Sequence, residues 1–301
     1  MIRKHTRRAA KAAFAIAMGV ALLIGSTARA SHTATPTVTI GTKNFTEEYI
    51  LGQLYKQALE AKGFKVDYKE SVGSSEVIDS ALTSGKINFY PEYTGVIVLD
   101  LAHKKSPKTA AATYAAAKQF EERRGFTLLK ATPFFDTDSF GLLTSTAKKY
   151  KLKTIADVAK VKKTFTYGGF PECRTRVTCF LGLKTIYRIK RLKFVPLGSV
   201  SIYTALDQGK VTAGDVFSTD PQLLSKKYTV LKDTKHLFGF QNVAPVLSKE
   251  LAADPQLVQT VNAVSAKLTL NAMKQLNKAV AIDKHSAADV AKAFLQANGL
   301  I

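Results

Sequence analysis

"ALTSGKINFYPEYT", residues 81–94, has a counterpart later in the chain in "ALDQGKVTAGDVFST", residues 205–219. Both stretches end a helical pattern at a Gly-Lys pair, continue with a β-branched residue and reach an aromatic residue eight positions after the glycine. That aromatic residue is Tyr93 in the first stretch and Phe217 in the second. Ligands of open α/β sheets bind beyond the carboxyl ends of the strands. The pair therefore predicts two similar lobes that present aromatic rings to a shared cleft, and coincidence between common helix–strand sequences is the alternative.

Short β-branched runs alternate with helical patterns along the whole chain, which predicts an α/β fold with a mainly parallel sheet. Residues 37–41 and 65–71 are predicted strands, and residues 46–63 and 286–299 are predicted helices. The chain contains no long linker rich in Pro, Gly or Ser, so domain boundaries are expected at short crossings. In the first helix an apolar stripe follows one helix face: it consists of Ile50, Leu51, Leu54, Ala58 and Leu59.

The first thirty residues have the three parts of a secretory signal. Basic residues precede an apolar run at residues 12–24, and Ala28-Arg29-Ala30 is a small-x-small cleavage site. The apolar run is shorter than the roughly 20 residues that a spanning helix needs. No cysteine lies near the cleavage site to accept a lipid. We therefore expect a soluble protein that is exported to the periplasm and cleaved after about Ala30.

The chain is strongly basic. Removing residues 1–30 takes away six Lys and Arg and no acid, so the formal charge falls from +21 to +15. The remaining basic residues are scattered through every segment and form no stripe with interleaved aromatics, as a nucleic-acid surface would. This distribution predicts a solvated basic surface and no nucleic-acid partner, with a polyanion-binding surface protein as an alternative.

Only two cysteines are present, Cys173 and Cys179, in "PECRTRVTCF". In an exported protein such a pair predicts a disulfide that closes a small loop, and two free thiols are the alternative. Two cysteines without a nearby histidine are poor zinc ligands. We therefore expect no metal site and no cofactor.

Motifs of catalysis are scarce in this sequence. It has no G-x-S-x-G elbow, no P-loop, no H-E-x-x-H and no G-x-G-x-x-G after a strand. His103, His236 and His285 are isolated. We therefore expect no catalytic residue and no enzyme. The competing hypothesis, an exported enzyme of the same architecture, would have to use Asp138, Glu92 or Lys43, which no spacing ties together.

Three longer motifs, "IGTKNFTEEYILGQL", "YPEYTG" and "FSTD", resemble the substrate-binding proteins of ABC importers for osmoprotectants, which bind quaternary ammonium compounds such as glycine betaine, carnitine and choline. The resemblance runs from about residue 38 to the C-terminus. It implies a two-lobed Venus-flytrap fold of the class II type, with residues 31–136 and 240–301 in lobe 1 and residues 137–239 inserted as lobe 2. It also implies crossings near residues 135–137 and 238–240. The implied partners are a small solute and an inner-membrane permease with its ATPase, and the receptor is expected to be a monomer.

A trimethylammonium group donates no hydrogen bond and is best held by the faces of aromatic rings. In the family such a cage contains tyrosines, and the resemblance places Tyr93, Phe140, Phe217 and Gln241 at these positions. It places Asp138 where the second lobe offers a polar or acidic group. Lys43 and Arg176 lie at positions that can meet a ligand carboxylate. Asn44 and Thr94, from the same motifs, complete the expected ligand-binding set.

The expected cage departs from the family's pattern. One of four tyrosines is kept, two are phenylalanines and Gln241 is an amide. Phenylalanine keeps the π face, so each ring still contributes roughly 0.5–2 kcal/mol toward a cation. The sequence therefore predicts an importer receptor for a quaternary ammonium or betaine-type compound. A receptor of the same fold for an ergothioneine-like betaine, an amino acid or a polyamine is the alternative.

Overall fold

The computed structural model describes residues 36–198 and 200–301. The predicted secretory signal, residues 1–30, lies outside the described residues. Within the described part, no helix is both long enough and apolar enough to cross a membrane.

The described strands form two five-stranded sheets, which we call the first and the second sheet. The first sheet contains β1 (Val38–Lys43), β2 (Val66–Gly73), β3 (Phe89–Tyr93), β4 (Phe126–Leu128) and β10 (Val243–Ser248). The second sheet contains β5 (Asp138–Leu143), β6 (Phe165–Gly169), β7 (Leu192–Pro196), β8 (Ala213–Phe217) and β9 (Tyr228–Val230).

Helices cover the faces of both sheets. They are α1 (Thr46–Glu60), α2 (Ser75–Thr83), α3 (Thr94–Val96), α4 (Ala110–Arg123), α5 (Thr144–Lys149), α6 (Ile155–Val158), α7 (Phe180–Thr185), α8 (Ile202–Asp207), α9 (Lys249–Ala252), α10 (Pro255–Lys267), α11 (Leu270–Ala281) and α12 (Ala287–Ala297). A π-helical turn at Ile97–Leu101 continues α3, and single 3₁₀ turns occupy Pro171–Arg174 and Pro221–Leu224.

Both sheets are mixed. Their strand orders are β2-β1-β3-β10-β4 and β7-β6-β8-β5-β9. In the first sheet β1 runs parallel to β2 and β3, whereas β10 runs antiparallel to β3 and β4. In the second sheet β6 runs parallel to β7 and β8, whereas β5 runs antiparallel to β8 and β9. The expected α/β class is therefore confirmed, but a mainly parallel sheet is wrong. Along the chain, β5 follows the first four strands of the first sheet, and β10 follows the last strand of the second sheet. Each of these two strands pairs antiparallel with both of its neighbours.

The two similar stretches of sequence occupy equivalent places. β3 and β8 are each the central strand of their sheet, parallel to one neighbour and antiparallel to the other. Before them, Gly85 and Gly209 have φ of +73° and +68° and end α2 and α8 in the left-handed conformation that glycine adopts without strain. Tyr93 and Phe217 are the last residues of β3 and β8.

The β1–α1 unit places the first group of site residues. The predicted apolar stripe of α1 is buried and packs into the core beneath the first sheet. The N-cap of α1 is Phe45, whose side chain accepts no capping hydrogen bond. A small polar residue is preferred at this position because its oxygen accepts from the first free N–H groups. Here the N-cap carries an aromatic ring. The Glu48 carboxylate, in the first turn of α1, accepts from the N–H of Lys43 at the end of β1, at 3.2 Å.

Two segments of irregular chain connect the sheets and lie side by side. One runs from β4 to β5 and the other from β9 to β10. They are joined by the Asp136 N–H, which donates to the Gln241 carbonyl at 3.0 Å, and by a bridge between Phe135 and Asn242. The lobe boundaries given above remain a prediction.

Candidate functional site

A small cavity of about 50 Å³ lies where the carboxyl ends of β1, β3 and β8 meet the start of β5. It adjoins a larger open cleft of about 630 Å³, and the rings of Phe45 and Phe217 line both. Seven of the residues expected to bind ligand line the small cavity: Lys43, Asn44, Tyr93, Asp138, Arg176, Phe217 and Gln241. Several further lining residues were not predicted from the sequence: Phe45, Asp136, Phe170, Glu172 and Asp215.

Three aromatic rings form a stack along the cavity. The Phe45 ring lies between Tyr93 and Phe217, with centroid distances of 6.3 Å and 5.8 Å and interplanar angles of 27° and 1°. Tyr93 and Phe217 come from equivalent strand ends of the two sheets, and Phe45 from the N-cap of α1. The unusual cap is therefore explained, because that position carries the central ring of the stack.

A cation already lies on this stack. The Lys43 ammonium is 4.1 Å from the Tyr93 ring centroid and 5.6 Å from that of Phe45, within cation–π range. It is held there by Glu92, whose Oε1 lies 2.5 Å from Nζ, and by Glu48 at 3.9 Å. Lys43 is 5% exposed and Glu92 is fully buried. Lys43 is thus a lining residue whose charge is already neutralised inside the protein.

The Tyr93 hydroxyl faces away from solvent into a buried polar group. It donates to Glu47 at 2.9 Å, and the Asn277 amide donates to the other Glu47 oxygen at 2.8 Å. Burial, followed by the nearby carboxylates, raises the pKa of Tyr93 well above its usual value, so the phenol stays neutral. Burial also raises the pKa of Glu47. These bonds fix the ring that the stack presents.

Cys173 and Cys179 are bonded to each other, with their Cα atoms 5.2 Å apart, and we call residues 173–179 the disulfide loop. Arg176, at its centre, forms a bidentate ion pair with Glu76 on α2, with N–O distances of 3.0–3.1 Å. Thr178 donates to both carboxylate oxygens of Asp100, at 2.9 and 3.0 Å. The loop therefore reaches from the second sheet to elements that pack on the first.

Carboxyl groups of the second sheet also line the cavity. Asp138 on β5 and Asp215 on β8 lie diagonally across an antiparallel pair, since Asp138 is opposite Phe217 and Phe140 is opposite Asp215. Tyr167 donates to Asp215 at 3.2 Å. Burial is the main cause of the raised pKa of Asp138. Burial is also the main cause that raises the pKa of Asp215 well above its usual range.

Two residues that were expected to bind ligand have other roles in the structure. Phe140 does not line the cavity; it is fully buried in the core of the second sheet, its centroid 5.1 Å from that of Tyr167. Thr94 is fully buried, and its hydroxyl donates to the Phe240 carbonyl at 3.2 Å. Neither side chain is among those that line the cavity.

Gln241 lines the cavity, but the backbone uses both ends of its amide. Its Oε1 accepts from the Val96 N–H at 3.0 Å and its Nε2 donates to the Phe238 carbonyl at 3.1 Å. A Cβ at Gly95 would lie 2.5 Å from this Oε1, so the approach requires glycine. Gln241 therefore connects α3 to the segment between β9 and β10.

We expect the melting temperature of the ligand-free protein to rise as pH falls from about 8 to about 5. Burial raises the pKa of Glu48 to about 8, of Asp100 and Glu121 to about 7, and of Asp220 to about 6. In this window the folded chain holds protons that the unfolded chain has released. The stability they contribute is complete below the unfolded pKa values and is lost as pH rises through the folded ones.

Melting curves at several pH values check this expectation. Glu121→Gln should flatten the dependence because it removes one titrating group that is fully buried and lies outside the cavity. A melting temperature that stays constant or falls on acidification over this window would contradict the assignment of raised pKa values.

Comparison with known proteins places this chain in a family. Residues 36–297 match the family described as the substrate binding domain of ABC-type glycine betaine transport systems. The chain belongs to this family, whose members are solute-binding receptors with two lobes.

Individual relatives agree with this assignment. A glycine-betaine-binding protein of Pseudomonas aeruginosa is 30% identical over 277 residues, which cover 88% of this chain and 89% of the relative. An ergothioneine transport permease/ergothioneine binding protein of Helicobacter pylori is 28% identical over 87% of this chain and 47% of its own length. The crystal structure of a glycine betaine/carnitine/choline ABC transporter protein superposes with a TM-score of 0.70 at 25% identity, covering 87% of this chain and 99% of that one.

Proposed function

We propose that this receptor binds a quaternary ammonium or betaine-type compound in the cavity between the two sheets and delivers it to an ABC permease with its ATPase. It does so as a monomer in the periplasm, after removal of residues 1–30, and without chemical change to the solute. The observation that carries this proposal is the aromatic stack with a cation on it. The Lys43 ammonium lies 4.1 Å from the Tyr93 ring centroid, which is the contact that a trimethylammonium group would make.

The ligand-binding set that we propose follows the cavity. It keeps Lys43, Asn44, Tyr93, Asp138, Arg176 and Phe217, and it adds Phe45 and Asp215. Asn44 is exposed at the mouth, where both the cavity and the larger cleft include it. In this set Lys43 and Arg176 contribute to the wall of the cavity through their ion pairs, because carboxylates of the protein already neutralise their charges.

Capture between two lobes would work by closure. We take lobe 1 as residues 31–136 and 240–301 and lobe 2 as residues 137–239. The described strands of the first sheet fall in the former ranges and those of the second sheet in the latter. On this division, the Arg176–Glu76 and Thr178–Asp100 contacts join the lobes beside the cavity. Contacts made only in the closed form shift the population toward it, and bound solute adds to them.

Two other functions are less well supported by the geometry. An exported enzyme would use Glu92, Lys43 or Asp138, but Glu92 is fully buried and its Oε1 bonds Lys43. A polyanion-binding protein would present unpaired cations, whereas Lys43 and Arg176 in the cavity are paired with Glu92 and Glu76. Among solutes, an ergothioneine-like betaine keeps a trimethylammonium group and remains compatible with the stack, while an amino acid or a polyamine makes less use of it.

A thermal-shift screen tests the proposal. The protein without residues 1–30 is screened against choline, glycine betaine, carnitine, ergothioneine, amino acids and polyamines. A ligand present at about 100 times its Kd adds about 2.7 kcal/mol to the free energy of unfolding, which shifts the melting temperature by several degrees. Shifts with trimethylammonium compounds are expected. Shifts only with amino acids or polyamines, or turnover of any solute, would contradict the proposal.

A further inference from the structure

The second sheet has one end at the cavity and one end away from it. β6, β7 and β8 are parallel, and β8 and β9 both run antiparallel to β5. The strands β6 to β9 therefore begin, and β5 ends, at the end away from the cavity. Backbone hydrogen bonds join the segments there: the Phe165 N–H donates to the Arg191 carbonyl at 3.0 Å, and the Thr144 N–H to the Lys227 carbonyl at 2.8 Å. The two ends are about 15 Å apart, the length of a five-residue strand such as β8.

Basic residues flank every strand at the end away from the cavity, and we call these nine exposed side chains the basic end. Before β6 and β7 they are Lys162, Lys163, Lys190 and Arg191. Before β8 and β9, and on α5 directly after β5, they are Lys210, Lys226, Lys227, Lys148 and Lys149. They are scattered in the sequence, and the fold gathers them into a strip about 20 Å long, the width of five strands.

Acids do not balance the basic end. Among the described residues, only one of its side chains has an acid within ion-pair distance, Lys227 with Asp207 at 2.8 Å. Residues 137–239 contain 19 Lys and Arg but only seven Asp and Glu, a formal +12. The other residues from 31 onward contain 19 and 16, a formal +3. Most of the positive charge of the chain therefore lies in the segment that forms the second sheet.

The first sheet supplies an internal comparison. At its corresponding end, where β2, β3 and β4 begin and β10 ends, the exposed acids Glu60, Glu122 and Glu250 are mixed with the basic residues. Two of these acids form ion pairs, Glu60 with Lys56 and Glu122 with Lys118. The architecture that the two sheets share therefore does not require a basic end, and its charge is available to an anionic partner.

The composition of the basic end distinguishes between anionic partners. Eight of its nine side chains are lysines, which are strongly hydrated point charges and are depleted at protein–protein interfaces. Single-stranded nucleic acid stacks its bases on free aromatic faces. Tyr150 and Tyr228, beside the basic end, instead pack on Phe165 and Tyr203, with centroid distances of 5.4 and 4.8 Å. A surface of phosphate head groups needs neither fixed geometry nor aromatic rings, because it attracts basic residues by charge alone.

We infer that the basic end docks the receptor on the surface of an anionic phospholipid bilayer, with the head-group phosphates as its partners. Each basic side chain near such a surface strengthens binding severalfold, and the attraction falls off within the screening length. Docking by charge inserts no apolar segment and is therefore reversible. The cavity lies at the opposite end of the second sheet, so a docked receptor can still take up solute. The inference does not depend on which solute the cavity binds.

Co-sedimentation with lipid vesicles tests the inference. The protein without residues 1–30 is mixed with vesicles of phosphatidylcholine and with vesicles in which part of this lipid is replaced by phosphatidylglycerol. Excess choline in every sample occupies any site for the trimethylammonium head group. Binding is expected only to the vesicles that contain phosphatidylglycerol. Raising the salt from about 0.1 M to about 1 M, which shortens the screening length from about 10 Å to about 3 Å, should release the protein.

Two matched variants locate the docking surface. The first combines Lys162→Glu, Lys163→Glu, Lys190→Glu and Lys226→Glu. Its control, at the corresponding end of the first sheet, combines Lys62→Glu, Lys65→Glu, Lys86→Glu and Lys249→Glu. All eight lysines are exposed, so the two variants have the same net charge and differ only in where it changes. Binding to phosphatidylglycerol vesicles should weaken by at least about 100-fold in the first variant and by less than about tenfold in the control.

Thermal melts check that both variants are folded, and the comparison of vesicles with the unchanged protein needs no variant. Choline affinity, measured by titration, should be the same in both variants. No difference between the two kinds of vesicle, or equal losses in the two variants, would overturn the inference. Binding to duplex DNA or to polyglutamate as tight as to the vesicles would also overturn it. Each of these results would leave the proposed function standing.

Discussion

Replacing Tyr93 with alanine is expected to lower the affinity for a trimethylammonium probe such as choline by at least about 30-fold. The substitution removes one π face of the stack, together with the ring against which Phe45 packs at 6.3 Å. It also leaves Glu47 without the hydroxyl that donates to it at 2.9 Å. Isothermal titration of the variant against wild type measures the loss.

Tyr93→Phe is the matched control. It keeps the ring and removes only the hydroxyl, which points to Glu47 and not to the cavity. Glu47 retains the Asn277 amide at 2.8 Å. The expected loss of affinity is therefore small, and any loss of stability should be about 1 kcal/mol, the net value of one hydrogen bond. Unchanged affinity in the alanine variant would show that the solute does not use this stack.

Glu92→Gln is expected to destabilise the folded protein by roughly 3–5 kcal/mol, because removing one partner leaves the other as an uncompensated buried charge. Glu92 has no exposed surface, and Lys43 is 5% exposed. Without the Glu92 charge, the nearest carboxylate to the ammonium is Glu48, at 3.9 Å. The melting temperature should fall by roughly 10 °C, which calorimetry or a fluorescence melt would detect.

An exposed ion pair of similar length provides the comparison. Lys56 and Glu60 are 2.8 Å apart on α1, with side chains 28% and 40% exposed. Glu60→Gln should change the free energy of unfolding by less than about 1 kcal/mol, as is usual for surface pairs. Equal, small effects of Glu92→Gln and Glu60→Gln would contradict a buried charge on Lys43. The description of Lys43 as a cation on the aromatic stack would then be wrong.

The parts of the site that follow from local periodicity were predictable from the sequence. The two Gly-Lys stretches placed Tyr93 and Phe217 at equivalent strand ends. The same period-two rule could have found Asp215, since residues two apart on a strand share a face and Asp215 precedes Phe217 by two positions. Asp138 and Phe140 share a face in the same way, but only the residue at the strand end reaches the cavity.

Charge pairing was not predictable from the sequence, because it depends on which elements meet in three dimensions. Arg176 was expected to bind a ligand carboxylate, yet its partner is Glu76, one hundred residues away. Lys43 likewise pairs with Glu92, 49 residues away. Phe45 was missed for a different reason: an aromatic N-cap contradicts local preference, and such exceptions occur where a site needs the side chain.

The interior and exterior of this protein differ in the sign of their charge. Without residues 1–30 the chain carries a formal +15, but among the buried charged residues that the structure describes, seven are acids and only Lys43 is a base. The exterior is therefore more positive than the net charge suggests. At low ionic strength its field slows the diffusion of cations toward the receptor and attracts anions to the surface. Salt screens the exterior field over about 10 Å and leaves the buried carboxyls little affected. Capture of a cation by such a molecule becomes faster, and no less selective, as the surroundings become saltier.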